Sequence, residues 1–195
     1  GRLARDRLDV AAAGDITAAD LGAVLDTLLG DLPETGLPQP PRADLLEKGG
    51  VMIHRYPGPQ SVVLFGHGGI AFDDPDFFAA SLLNDILGGG RFSARLMTEV
   101  REKRGLTYGI GTALASQELS EEWVGQFSAS NEKVAEAIAV VREEWAKIAR
   151  EGVTEEELAT AKTYMTGAYP LRFDGNGPIA GILVGMQLLG LSPDY

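Results

Sequence analysis

The chain has no cysteine. Disulfides, thiolate metal sites and a cysteine nucleophile are therefore excluded, while the compartment stays open. Histidine is nearly as scarce. His54 and His67 are the only two, and no H-E-x-x-H or H-x-x-E-H run occurs, so this chain alone offers no zinc-peptidase motif. Long apolar runs are missing too. The longest, Ile179 to Leu191, has 13 residues, too few to cross a hydrocarbon layer of about 30 Å. Positive charge is the minority: 17 Lys and Arg against 28 Asp and Glu give a net charge of −11. Such a chain repels nucleic acid and anionic membranes; the excess of acids serves solubility, and favours cationic ligands, such as basic peptides, where acids surround a cavity. No signal peptide is visible, and the opening "GRLARDRLDV" lacks a methionine and reads as the interior of a longer protein. The serines Ser93 and Ser116 lack a G-x-S-x-G setting, and the glycines at 88–90 do not match a phosphate loop, so they read as a helix stop.

What is present is ordinary globular material. Over 195 residues, 45% are hydrophobic and 23% charged, enough for a core without staples. Leu8 to Gly14 reads as a short buried strand. Thr17 and Asp20 form a near capping box ahead of the stripe Leu21, Val24, Leu25, Leu28 and Leu29. Four prolines and a glycine between Pro33 and Arg42 mark a boundary. The organisation expected is a strand–helix tail over 1–32, a Pro-rich linker over 33–48, and a domain from 49 to 195 that is truncated at its end.

Runs 49–56 and 60–69 are rich in Val, Ile, Phe and Tyr and predict a hairpin. A helix capped by Asp74, with Pro75 at its first position, follows to the glycines. A second, capped by Ser93, runs to Gly105. Alternation from Leu106 to Ser116 predicts a strand with Tyr108, Ile110, Thr112 and Leu114 on one face, paired with 122–130. Three helices close the chain, the middle one opened by the capping box Thr154 and Glu157. Strands and helices come in blocks, which predicts an α+β fold: an antiparallel or mixed sheet with helices on one face.

Within "VREKRGLTYGIGT", Arg101, Lys103 and Arg104 suit the negative end of a helix, and Tyr108 suits a strand. Composition favours that plain reading. The longer run "LGGGRFSARLMTEVREKRGLTY", residues 87–108, points elsewhere. It closely resembles the C-terminal domain of the pitrilysin or insulinase family of zinc metallopeptidases, to which bacterial processing-peptidase-like members belong. "VAAAGDITAADLGAVLDTLLGDLP", "SVVLFGHGGIAFDDPDFFAASLLNDILGGG" and "GVTEEELATAKTYMTGAY" resemble other parts of that family in the same order.

The resemblance implies two similar αβ domains around a chamber. One carries an H-x-x-E-H zinc motif; the facing one supplies an arginine and a tyrosine seven positions apart, as Arg101 and Tyr108 are. By resemblance, Tyr108 donates to the scissile carbonyl or its oxyanion, and Arg101 anchors the substrate backbone. Zinc would then sit in a complementary domain or subunit, with none bound by this chain, which would be inactive alone. Expected partners are a peptide substrate, basic by the charge argument, and the zinc-bearing half; nucleic acid and a membrane span are not expected. A bacterial parent would be periplasmic or cytoplasmic. The alternative implied is a non-catalytic structural subunit or peptide-binding module of the same family. One further expectation is that Leu8 to Gly14 fills a vacant sheet position, within one molecule or swapped in a homodimer.

Overall fold

The computed structural model describes residues 3–43, 49–192 and 194. The chain divides into two units, 43–164 and 1–42 with 165–195. Residues 44–48 of the expected 33–48 linker lie outside the described residues.

The larger unit is an α+β layer, as expected. Strands β1 (Gln60–Gly68), β2 (Ile110–Ser116) and β3 (Glu121–Ser130) form an antiparallel sheet in the order β1-β3-β2. The register sets two faces. Val63, Phe127 and Ile110 lie side by side, as do Leu64, Gln126 and Gly111 one residue over. Because side chains alternate along a strand, the first row faces the core and the second faces away. Helices α2 (Phe77–Gly88) and α3 (Val134–Glu151) pack with the inner face. Leu87, Leu96 and Val100 are fully buried there, joined by Ile110, Phe127, Val140 and Ile148. The stripe Val134, Ile138, Val141, Trp145 and Ile148 expected on α3 belongs to or packs on this core. Trp123 and Trp145 meet with centroids 5.1 Å apart, and the Phe65 ring meets Trp145 edge-on at 5.9 Å.

Helix α4 (Glu155–Ala168) opens with the expected capping box. The Thr154 N–H donates to Glu157 Oε2 at 2.7 Å, and the Glu157 N–H donates to Thr154 Oγ1 at 3.2 Å. In the smaller unit, α1 (Ala18–Leu29) is capped by Thr17, whose Oγ1 accepts the Asp20 N–H at 3.2 Å. Helix α5 (Asn176–Leu188) is the expected last helix, and Gln187 Nε2 donates to the Val10 carbonyl at 3.1 Å.

Several expectations are corrected. Residues 49–56 form no strand and are exposed; β1 pairs with β3 rather than with its neighbour in sequence. β-branched composition makes a segment compatible with a sheet, but a strand exists only where another strand accepts its hydrogen bonds. Leu8–Gly14 is likewise not a strand and takes no place in the three-stranded sheet, so it does not fill a vacant sheet position within the molecule. Helix α2 begins at Phe77 rather than Pro75. Asp74 and its neighbours form a turn instead, in which Asp74 Oδ1 accepts the Asp76 N–H at 2.9 Å. Ser93 caps no helix; its hydroxyl accepts from Arg91 Nη1 at 3.1 Å.

Candidate active site

The segment carrying Arg101 is not a plain α-helix. Met97–Glu102 is a π-helical turn, in which the Lys103 N–H reaches back five residues to the Thr98 carbonyl at 2.9 Å. It ends at Gly105, whose φ of +58° lies in the left-handed region that glycine alone enters without strain. The Gly105 and Leu106 N–H groups then donate to the carbonyls of Arg101 and Val100, at 2.8 and 2.9 Å. Lys133 Nζ closes the turn by donating to the Gly105 carbonyl at 3.0 Å. The chain thus reverses from the helix tail toward β2 within a few residues.

Tyr108 precedes β2 instead of lying in it, a further correction. It occupies a bend pinned by Thr107. The Thr107 hydroxyl accepts the Gly109 N–H at 3.2 Å and lies 2.6 Å from the Ser128 carbonyl, to which it donates. This fastens the bend to β3 and leaves Tyr108 91% exposed, the phenol pointing away from the core. Tyr108 borders a cleft of about 770 Å³ over the outer sheet face, floored by Leu64, Gly111, Ala113, Val124 and Gln126. The close approach of Gly88 shapes one wall: a Cβ there would come within 2.5 Å of Thr112 Oγ1.

The structure brings Arg101 and Tyr108 together. The Arg101 guanidinium carbon lies 5.3 Å from the Tyr108 ring centroid and 4.6 Å from that of Phe92, both within cation–π range. Its basic neighbours are occupied elsewhere. Glu99 binds Lys103 Nζ at 2.6 Å through one oxygen and Arg104 Nη1 at 2.6 Å through the other. The two cations, Lys103 first, hold the Glu99 carboxyl below its ordinary value. Arg101, by contrast, has no side-chain hydrogen bond or ion pair among the described residues. Its five N–H donors are open to a ligand.

A second arginine anchors the scaffold. Arg95 Nε and Nη2 bind both oxygens of Glu157, at 2.6 and 2.7 Å, and Nη2 also donates to the Gly152 carbonyl at 3.0 Å. The hydrogen bond from Arg95 is the main reason the Glu157 carboxyl is lowered to about 2. This bidentate pair ties the start of the Arg101 helix to the α3–α4 turn. Asn84 is a third fixed point: its Oδ1 accepts from Thr112 Oγ1 at 2.8 Å and from Trp123 Nε1 at 2.9 Å.

The described residues offer no site for a zinc ion. Among the described residues no three or more His, Cys, Asp or Glu side chains converge. His67 Nδ1 pairs with the Gly68 carbonyl at 2.6 Å. No described helix is long and apolar enough to cross a membrane. Sequence reasoning missed Thr107 and Phe92. Both lie inside the 87–108 block, but nothing in it marks their contacts: Thr107 reaches the Ser128 carbonyl after the reversal at Gly105, and Phe92 meets Arg101 from the turn ahead of the helix.

The larger unit is thus an α+β layer with Arg101 and Tyr108 side by side outside its core and, among the described residues, no cluster of metal ligands. The chain belongs to the peptidase M16 inactive domain family, which matches residues 3–165. It is 32% identical over 123 residues to an uncharacterized zinc protease of Streptomyces coelicolor, covering 62% of this chain and 26% of that protein. A non-peptidase homolog of Helicobacter pylori is 24% identical over 168 residues, covering 86% of this chain and 39% of the other. The crystal structure of a peptidase M16 inactive domain from Pseudomonas fluorescens superposes with a TM-score of 0.77 at 30% identity, over 93% of this chain and 43% of that one. The chain therefore spans less than half the length of each of these proteins.

Proposed function

We propose that this chain is the substrate-binding half of a zinc metalloendopeptidase, and that Arg101 and Tyr108 complete an active site whose metal is held by an H-x-x-E-H domain or subunit. The observation that carries this reading is the free guanidinium of Arg101 beside the exposed phenol of Tyr108 at the rim of a cleft. A phenol is a neutral donor at pH 7 and can follow charge as it develops on a carbonyl oxygen. A guanidinium presents a fixed fork of donors to backbone carbonyls. The two groups thus divide the work: Arg101 holds the peptide, and Tyr108 meets the oxyanion. Zinc in the other half would supply the activated water. The acidic balance of the chain, −11, favours basic peptides.

The test is to mix this chain, or its parent protein, with the zinc-motif half and follow peptide cleavage with and without Tyr108→Phe. Loss of one oxyanion donor lowers kcat by about 10²–10³-fold. Unchanged cleavage by Tyr108→Phe defeats the role given to this residue.

A second reading is a structural or peptide-binding subunit without catalysis. The Helicobacter pylori relative, named a non-peptidase homolog, favours it. Absence of hydrolysis from every such mixture, with peptide still bound, would establish it over the first.

A further inference from the structure

Arg101 has four rotatable side-chain bonds and no ion pair to restrain them among the described residues. An unrestrained guanidinium would wander over the surface and hold a peptide poorly. Two rings restrain it, and the nearer is Phe92, at 4.6 Å, not Tyr108, at 5.3 Å. Phe92 is 62% exposed, so burial in the core does not explain its presence. It stands between the glycine stop of α2 and the helix bearing Arg101. Its neighbour Arg91 is fixed on the other side by a two-oxygen grip on Asp85, a contact from Nη1 to Ser93 Oγ at 3.1 Å, and stacking over Tyr164 at 4.7 Å. The backbone from which Phe92 projects is therefore firmly held.

From this arrangement we infer that Phe92 is a positioning residue: its ring orients the Arg101 guanidinium so that the N–H edge stays presented to the substrate backbone. The inference rests on the proposed peptide-anchoring role of Arg101. A phenylalanine suits the task because its face attracts the cation while it has no carboxylate to compete for the N–H donors. An acidic residue in its place would fix Arg101 more strongly but would occupy the donors that a peptide needs. Phe92 thus restrains the arginine without neutralising it, the opposite of what Glu99 does for Lys103 and Arg104.

Two measurements on the same variants test this. In the first, NMR of the 195-residue chain reads the order of the Arg101 Nε–Hε vector and the ring-current shift of its Hδ protons. In the wild type the vector is ordered and the protons are shifted upfield. Phe92→Leu, which keeps bulk but removes the ring, loses both signatures, and Phe92→Tyr retains them. Unchanged Arg101 signals in Phe92→Leu overturn the inference. So would an unfolded Phe92→Leu, because it would place the ring in the fold's support.

In the second, peptide cleavage is followed in the mixture with the zinc-motif half. Phe92→Leu raises KM by about fivefold, the equivalent of one cation–π contact, with kcat little changed, and Phe92→Tyr restores it. A fall in kcat at unchanged KM, or no rescue by tyrosine, counts against positioning. If the wild-type mixture cleaves nothing, the peptidase reading fails, and the NMR measurement alone still decides whether Phe92 orients Arg101.

Discussion

The strongest energetic statement the structure makes concerns the Arg95–Glu157 pair. Consider Glu157→Gln. Glutamine is nearly the same shape and still serves a capping box, so the Thr154 N–H keeps an acceptor and the main change is the loss of charge opposite Arg95. The folded carboxyl is lowered from 4.5 to about 2. At 1.36 kcal/mol per pKa unit this sets a ceiling of about 3 kcal/mol. The side chains of Arg95 and Glu157 are 13% and 29% exposed, and solvent screening reduces the expected loss to about 1–2 kcal/mol. The sign follows from the lowered value. The folded state binds the proton less readily than the unfolded state, so the stabilisation is fully present above the ordinary carboxyl range. It drains away as pH falls from about 4.5 toward about 2. Urea unfolding of both proteins at several pH values checks this, since other carboxylates are common to both and cancel in the difference. The gap should be about 1–2 kcal/mol at pH 7 and should close near pH 2. A gap that survives undiminished at pH 2, or is missing at pH 7, refutes the reasoning.

Other perturbations report on the turn and the buried network. Gly105→Ala places a Cβ at φ +58° with no atom within 4 Å, so its cost of about 1–2 kcal/mol is conformational and should appear as a lowered Tm without a change in core packing. Asn84→Ala leaves the Thr112 hydroxyl and the Trp123 indole N–H without their common acceptor and should cost about 1–3 kcal/mol for each donor that water does not reach, read by denaturant midpoint. Arg101→Ala should raise KM for peptide in the mixture with the zinc-motif half while leaving the unfolding free energy within about 1 kcal/mol of wild type, because no described ion pair depends on it.

Local chemistry announces itself in this sequence where one segment contains the whole interaction. The capping boxes at Thr17/Asp20 and Thr154/Glu157 could be read because donor and acceptor sit three residues apart. The helical stripe from Val134 to Ile148 is legible for the same reason, since one face collects its own residues. Pairing across distance leaves a fainter mark. Residues 49–56 and β1 both look like strands, yet β1 takes a partner some sixty residues away, and composition does not say which partner wins. The Arg101–Tyr108 spacing was visible through its surrounding block, and the structure brings the two side chains together. The rest of that neighbourhood was not visible. The π-helical turn has no composition of its own, and Phe92 looks like any aromatic after a glycine run until the helix that follows it sets Arg101 over its ring.

The double grip of Glu99 reaches beyond the two side chains it holds. Among the described residues it leaves the helix tail with one uncompensated cation where the sequence writes three. Polyanions adhere to proteins through many simultaneous contacts and the release of their counterions, and a single anchor gives them little of either. Heparin-like chains and stray RNA should therefore wash off this surface at modest salt. A molecule that stays must do so by fitting the fork of one guanidinium and the groove next to it.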